Sequence, residues 1–321
     1  MNALVVGASS VSEASSEASE ASEVKAVEVS SSEGREAEEC RHVPFVTLSE
    51  VKPRVWLTLA GCNFKCRGCF SVAREVVGEC LSVDDLMHLV RRAIRQYYGR
   101  ERAEEAVITG GEPTLKRRFL VKLVSRLREI ADWIVLDTNG YLLTPEYLEE
   151  LLKAGLSEVM FDLKAYDEYL HAWYTGFSNK KVLENIEYAS KRVKITVNTV
   201  FIPDIVGEEE VEKIAKFIAE ISKGSKEPIE FRINPFRAEM SREKISRDPT
   251  EDEMLRAYEI ACKHLNTVIG RSCVRERKVK EKRGWVTVFP DGTMRRRTLA
   301  DYRRNLTLST AKAGRFWVFQ P

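Results

Sequence analysis

Cys62, Cys66 and Cys69 fall within eight residues, in the run Cys62-Asn63-Phe64-Lys65-Cys66-Arg67-Gly68-Cys69. Three thiolates at that spacing can converge on one inorganic centre. A four-iron cubane normally takes four protein thiolates, so three leave one iron open to bind something else. Zinc is the competing centre, but structural zinc is closed by four ligands, and no further Cys or His lies within ten residues of the run on either side. Three unligated cysteines in a loop would be an exposed reactive cluster without a use. The spacing predicts a [4Fe-4S] cluster on Cys62, Cys66 and Cys69.

The elements that must position this loop are legible around it. Residues 55–59 form an apolar run ending just before the first Cys, and a helical pattern covers 84–97. A second strand at 106–109 runs into Gly110-Gly111-Glu112-Pro113 and a helix over 114–130. A third, 133–137, leads through Thr138-Asn139-Gly140 to a helix with Thr144 as N-cap and Pro145 at its first position. Strands at 158–163, 193–202 and 228–233 are followed by helices over 180–191, 208–222 and 250–264. This alternation implies a parallel sheet with right-handed crossovers. Six units suit a partial (β/α)6 TIM-like barrel rather than a closed eight-fold one.

The expected domains are a tail over 1–44, a core over 45–240 and an extension over 241–321. With 321 residues, 17 Gly and 10 Pro, the chain is neither fibrous nor of low complexity. Residues 1–40 hold ten Ser and nine Glu against two basic residues, so this acidic segment is expected to be disordered. Residues 271–304 carry twelve Lys or Arg against four acidic residues, and 285–297 reads as a β-hairpin turning at Asp291-Gly292. No 18 apolar residues run together, and the first residues lack a basic and apolar leader, so neither a membrane span nor a signal peptide is expected. A cytoplasmic protein follows, with its seven cysteines read as ligands or free thiols rather than disulfides. Cys40, Cys80, Cys262 and Cys273 lack ligand spacing and are expected to be buried, inert thiols.

The CxxxCxxC loop resembles the signature of the radical S-adenosylmethionine superfamily, and Gly110-Gly111-Glu112 stands where that family has its GGE motif. The resemblance implies that an open iron chelates S-adenosylmethionine. One electron then cleaves it to a 5′-deoxyadenosyl radical, which abstracts hydrogen from a substrate. Gly110 and Gly111 would allow close backbone approach, and the Glu112 carboxylate would receive the cofactor's ammonium. Leu136-Asp137-Thr138-Asn139-Gly140 and Met160-Phe161-Asp162-Leu163-Lys164 are further similar to segments of glycyl radical enzyme activases of the pyruvate formate-lyase-activating type. Carried over, Asp137, Thr138, Met160 and Asp162 would surround a monovalent cation, and Lys164 would lie near the cofactor's carboxylate. Asp137, Asn139 and Asn198 join the cofactor contacts. Taken singly, Asp137 also reads as a helix-flanking cap and Lys164 as a solvated charge.

The pattern departs from that family at three places. Gly68 replaces the usual aromatic residue that lies against adenine, with Phe70 just beyond as the substitute platform. A Gly there resembles the shorter anaerobic ribonucleotide reductase activases. Asn198 stands where an Arg is frequent, and Arg237 near a frequent His. The expected partners are a flavodoxin- or ferredoxin-type low-potential electron donor and a glycyl radical enzyme. RNA, gripped by the basic tail with Trp285, Phe289 and Tyr302 interleaved, is the alternative substrate. A non-catalytic iron–sulfur protein is the alternative class, disfavoured because electron transfer requires no cofactor pocket.

Overall fold

The computed structural model describes residues 39–269 and 284–298. Most of the Ser/Glu-rich tail, and Arg271, Cys273 and Tyr302 of the basic tail, lie outside the described residues. In chain order the elements are β1 (Arg41–Val43), β2 (Phe45–Ser49), β3 (Arg54–Leu59), β4 (Glu79–Leu81), α1 (Val83–Tyr98), β5 (Ala103–Gly110), α2 (Arg117–Leu127), β6 (Ala131–Thr138), α3 (Pro145–Ala154), β7 (Glu158–Asp162), α4 (Glu168–Thr175), α5 (Lys180–Ser190), β8 (Lys194–Phe201), α6 (Glu208–Ser222), β9 (Glu230–Pro235), α7 (Glu251–Cys262), β10 (Val268–Ile269), β11 (Gly284–Val288) and β12 (Met294–Thr298).

Ten strands form one sheet in the order β10-β9-β8-β7-β6-β5-β3-β2-β11-β12. The six strands read from the sequence, β3 and β5 to β9, pair in parallel and in chain order. Every crossover therefore steps the same way, which curls the sheet into a partial barrel. Local chemistry sets the helix ends. Ser82 and Asp85 form a capping box at α1, Thr250 and Glu253 do so at α7, and the Thr144 hydroxyl accepts from the Tyr147 amide at α3. The expected helix over 114–130 is instead a 3-10 turn, Pro113–Leu115, followed by α2, because the Glu112 carboxylate captures the Thr114 amide.

The structure corrects four expectations. Cys40 and Cys80 form a disulfide that ties β1 to β4. Their separation of 40 residues gives no local signal; antiparallel pairing of two three-residue strands brings their Cα atoms to 5.5 Å. Cys262 is exposed rather than buried. β1 falls inside the segment expected to be tail. The hairpin β11–β12 continues the main sheet by pairing with β2, and Val286, Val288, Met254 and Ala257 share one core with the barrel. Arg296 of the hairpin is engaged by Glu50, which gives part of its basic character a structural use. No helix among the described residues is long and apolar enough to cross a membrane.

Candidate active site

The cysteine loop leaves the C-terminal end of β3 and is pinned to two segments far along the chain. Lys65 N donates to Thr175 O at 3.0 Å and Arg67 N to Tyr174 O at 3.0 Å, both on α4. The Arg67 side chain donates to Trp173 O at 3.0 Å and lies over the Trp173 ring. From the stretch after β9, Arg242 N donates to Cys69 O at 3.1 Å and Glu243 N to Arg67 O at 3.2 Å. Beneath the loop, buried Phe64 packs against Tyr141, His171 and Phe177. α4 was absent from the sequence reading, although its signals were present: Asp167 caps its start through the Leu170 amide, and Gly176 ends it.

Gly68 sits where these segments meet. A methyl group there would stand 2.6 Å from the Tyr174 hydroxyl and 2.9 Å from the Phe236 ring. The residue's departure from the aromatic pattern thus has a packing cause. Phe70 is 47% exposed beyond the loop. Gly68→Ala should overpack this junction and cost about 1–3 kcal/mol, read as a lower urea midpoint. An unchanged midpoint would mean that Tyr174 swings aside freely.

Burial pushes the Cys62 thiol up to about 11 and the Cys66 thiol up to about 12, with Glu112 adding to the first and the neighbouring thiols to the second. Such thiols stay protonated and inert until a metal's charge draws the protons off. Among the described residues, no three His, Cys, Asp or Glu side chains converge as ligands of a single metal ion. A cubane presents a separate iron to each thiolate, so half-buried Cys62, Cys66 and Cys69, free of disulfides, fit a cluster better than zinc.

Gly110 and Gly111 have a use inside the chain itself. Gly110 adopts φ 138°, and a Cβ there would stand 2.1 Å from Leu59 O; at Gly111 it would stand 2.2 Å from Gly61 O. Gly111 N and Glu112 N donate to Leu59 O and Gly61 O, which locks the GGE turn to the start of the cysteine loop. Glu112 is fully buried. Its Oε1 accepts from Thr114 N (3.0 Å), Thr114 Oγ1 (2.5 Å) and Thr138 Oγ1 (2.6 Å), and its Oε2 from Asn139 N (2.8 Å). Burial raises its pKa against those bonds. Within the chain, this carboxylate anchors the Thr138-Asn139 turn. The Asn139 side chain then donates to Asn63 Oδ1 at 2.8 Å, reaching the cysteine loop. Arg41, which sequence reasoning missed, is 3% exposed and donates to Ala60 O, Glu112 O and Pro113 O at 2.9–3.1 Å. Its position beside the Cys40–Cys80 bridge makes β1 a clasp on both motifs.

The remaining groups line the inward face of the strands, from the C-terminal end of β6 to the start of β9. Asp137, Met160, Thr196 and Glu230 are successive register partners across β6 to β9, and Asp162, Asn198 and Arg232 form the next row. Asp137 accepts from Thr109 Oγ1 at 2.9 Å, and burial, then the Asp162 charge, pushes its pKa up to about 7. Lys164 pairs with Asp162. Burial opposes the Lys164 charge, but the Asp162 carboxylate beside it raises its pKa. The Thr138 hydroxyl donates to Glu112 and accepts from Gly140 N. Asn198 keeps a buried Oδ1 with no partner among the described residues.

His171, scattered in sequence, is packed beneath the loop; its Nδ1 donates to Phe177 O at 2.7 Å. Burial lowers its pKa from 6.5. The unfolded chain therefore binds a proton near pH 6.5 that the folded one refuses, and stability should fall as pH drops below that value. His171→Gln should flatten this acid-side slope in melting temperature; an identical slope would assign it to other groups.

A family model described as the radical SAM superfamily matches residues 56–218. The chain belongs to this superfamily. A protein of Methanocaldococcus jannaschii assigned as a glycyl-radical enzyme activating enzyme is 35% identical to it over 70% of this chain and 82% of its own length. A GTP 3′,8-cyclase of Staphylococcus carnosus is 34% identical over 43% of this chain and 42% of its own. Among solved structures, Streptococcus suis SuiB bound to precursor peptide SuiA matches with a TM-score of 0.52 at 20% identity, over 65% of this chain and 46% of that one. The chain thus spans under half the length of the cyclase and of SuiB, and the SuiB likeness shows the fold alone. This radical SAM protein shares the superfamily's α/β architecture, and the family implies a [4Fe-4S] cluster and S-adenosylmethionine as its cofactors.

Proposed function

We propose that this radical SAM enzyme activates a glycyl radical enzyme, with the cluster on Cys62, Cys66 and Cys69. When bound, the cluster and S-adenosylmethionine supply reductive carbon–sulfur cleavage and a radical that takes hydrogen from a backbone glycine. The observation that carries the reading is the cysteine loop, held across the barrel mouth by α4 and by residues 242–243. Position matters because an unselective radical must form in contact with its target. The chain's own residues supply that position. Arg41, Gly111 and Glu112 fix the GGE turn against the loop, while Asn139 ties the β6 turn to Asn63. Asp137, Lys164 and Asn198 offer polar contacts to the cofactor from the inward face, and Phe70 an aromatic surface for its adenine.

The relative assigned as an activating enzyme supports this reading, because the likeness extends over most of both chains. A low-potential donor of flavodoxin or ferredoxin type would supply the electron. The test is 5′-deoxyadenosine formation by the anaerobically reconstituted protein with S-adenosylmethionine and a strong reductant. It should exceed a Cys66→Ala control, and addition of a glycyl radical enzyme from the same genome should produce a glycine-centred paramagnetic signal. Turnover without that signal in any such enzyme would sink the activase assignment. A four-iron protein that binds the cofactor and never cleaves it, even with that partner present, would sink the chemistry.

A further inference from the structure

Among the described residues, no carboxylate pairs with one cation on the barrel's inward face. Arg232 lies on the inward face of β9, in register with Asn198 and one strand beyond Asp162. Its chain neighbours Phe231 and Ile233 point the opposite way and are fully buried. Among the described residues its one polar contact is from Nη1 to the Met160 thioether, at 3.8 Å, a weak acceptor. Asp162, the nearest carboxylate in the row, is taken by Lys164. Glu230, two residues earlier on the same face, makes no ion pair with Arg232. Beside it stands Asn198 with its unpartnered buried oxygen.

A guanidinium keeps its charge and five N–H donors under all ordinary conditions. None of the Arg232 nitrogens is both buried and unpartnered, so the donors not turned to the thioether stay open to solvent and to a ligand. The planar donor fork matches a carboxylate in two parallel bonds. We propose that Arg232 is the anchor for a carboxylate carried into the barrel mouth by a ligand, with the Asn198 side-chain NH2 as the adjoining donor. The assignment rests on the reading of this mouth as the cofactor and substrate chamber. The carboxylate has two sources there, the methionyl end of S-adenosylmethionine or a group on the substrate.

The experiment is protection of Arg232 from an arginine-selective dicarbonyl, phenylglyoxal, mapped by mass spectrometry on the full, cluster-loaded chain under anaerobic conditions. The probes are S-adenosylmethionine, its decarboxylated analogue and acetate, the last with and without saturating S-adenosylmethionine. If the cofactor supplies the carboxylate, S-adenosylmethionine should slow modification at least tenfold and the decarboxylated analogue should not. If the substrate supplies it, Arg232 should stay reactive with either cofactor form, and acetate should protect it in the cofactor-saturated protein. Three results would overturn the proposal: no reaction in the ligand-free chain, no protection by any probe, or equal protection by both cofactor forms with none by acetate, which is steric cover. Equilibrium dialysis of S-adenosylmethionine runs alongside. Absent binding there would defeat the proposed function, whereas acetate protection of the ligand-free chain would still uphold the anchor.

Discussion

Replacing Cys66 by Ala should leave a folded protein that has lost its iron. In the metal-free chain the Cys66 thiol is neutral, its pKa pushed up to about 12, so truncation breaks no ion pair. Cys66 is only partly buried, at the seam between the main core and the smaller cluster of Tyr174, Ile202, Val206 and Phe236. Loss of one sulfur there should cost about 1 kcal/mol, which a thermal melt of the metal-free protein would read as a shift of a few degrees. The effect on the cluster is of another order. Only three thiols stand in this loop, and removing one leaves two, so cluster affinity should fall by more than about tenfold, beyond what loss of a supporting group does. Iron and sulfide content after anaerobic reconstitution is the measurement. Retention of a full cluster would show that the ligand set is wrong.

Glu112→Ala should be among the most damaging single changes in the barrel. The carboxylate accepts four hydrogen bonds with no exposure to solvent. Truncation strands two amide and two hydroxyl donors and takes an anion away from buried Arg41, whose charge it favours. Breaking such a buried charged network costs about 3–5 kcal/mol. At roughly 2–4 °C per kcal/mol for a domain near this size, the melting temperature should fall by about 6–20 °C. Glu112→Gln should lose less, because the amide oxygen still accepts while its NH2 opposes a donor. Cofactor affinity should drop in parallel with stability, since the Thr138-Asn139 turn loses its anchor. A Glu112→Ala protein that melts within about 2 °C of wild type yet binds S-adenosylmethionine poorly would instead place the carboxylate directly on the ligand.

The sequence reading was accurate where cause and effect are local. Apolar runs of β-branched residues became strands within a few residues of the expected ends, and Thr144, Pro145 and Thr250 start helices as their chemistry requires. It was incomplete where short elements carry little periodicity. β1 and β4 have three residues each, and α4 only eight. Gly110-Gly111 was legible as a motif, but one of its causes was not. The glycines clear the backbone of β3 and its loop, a contact invisible without the parallel pairing of β3 with β5.

The sequence by itself determined the kind of chemistry and the frame. Three cysteines in eight residues after one strand, with strands and helices alternating behind them, suffice because ligand spacing and period are properties of adjacent residues. Tertiary structure alone decided which distant groups close the site. It set the disulfide of Cys40 with Cys80, the grip of Arg41 on Pro113 across 72 positions, the pinning of the cysteine loop to α4 and residues 242–243, and the register of Arg232 beside Asn198. Those choices depend on strand order and register, and a buried charge selects its partners by geometry after the sheet has formed.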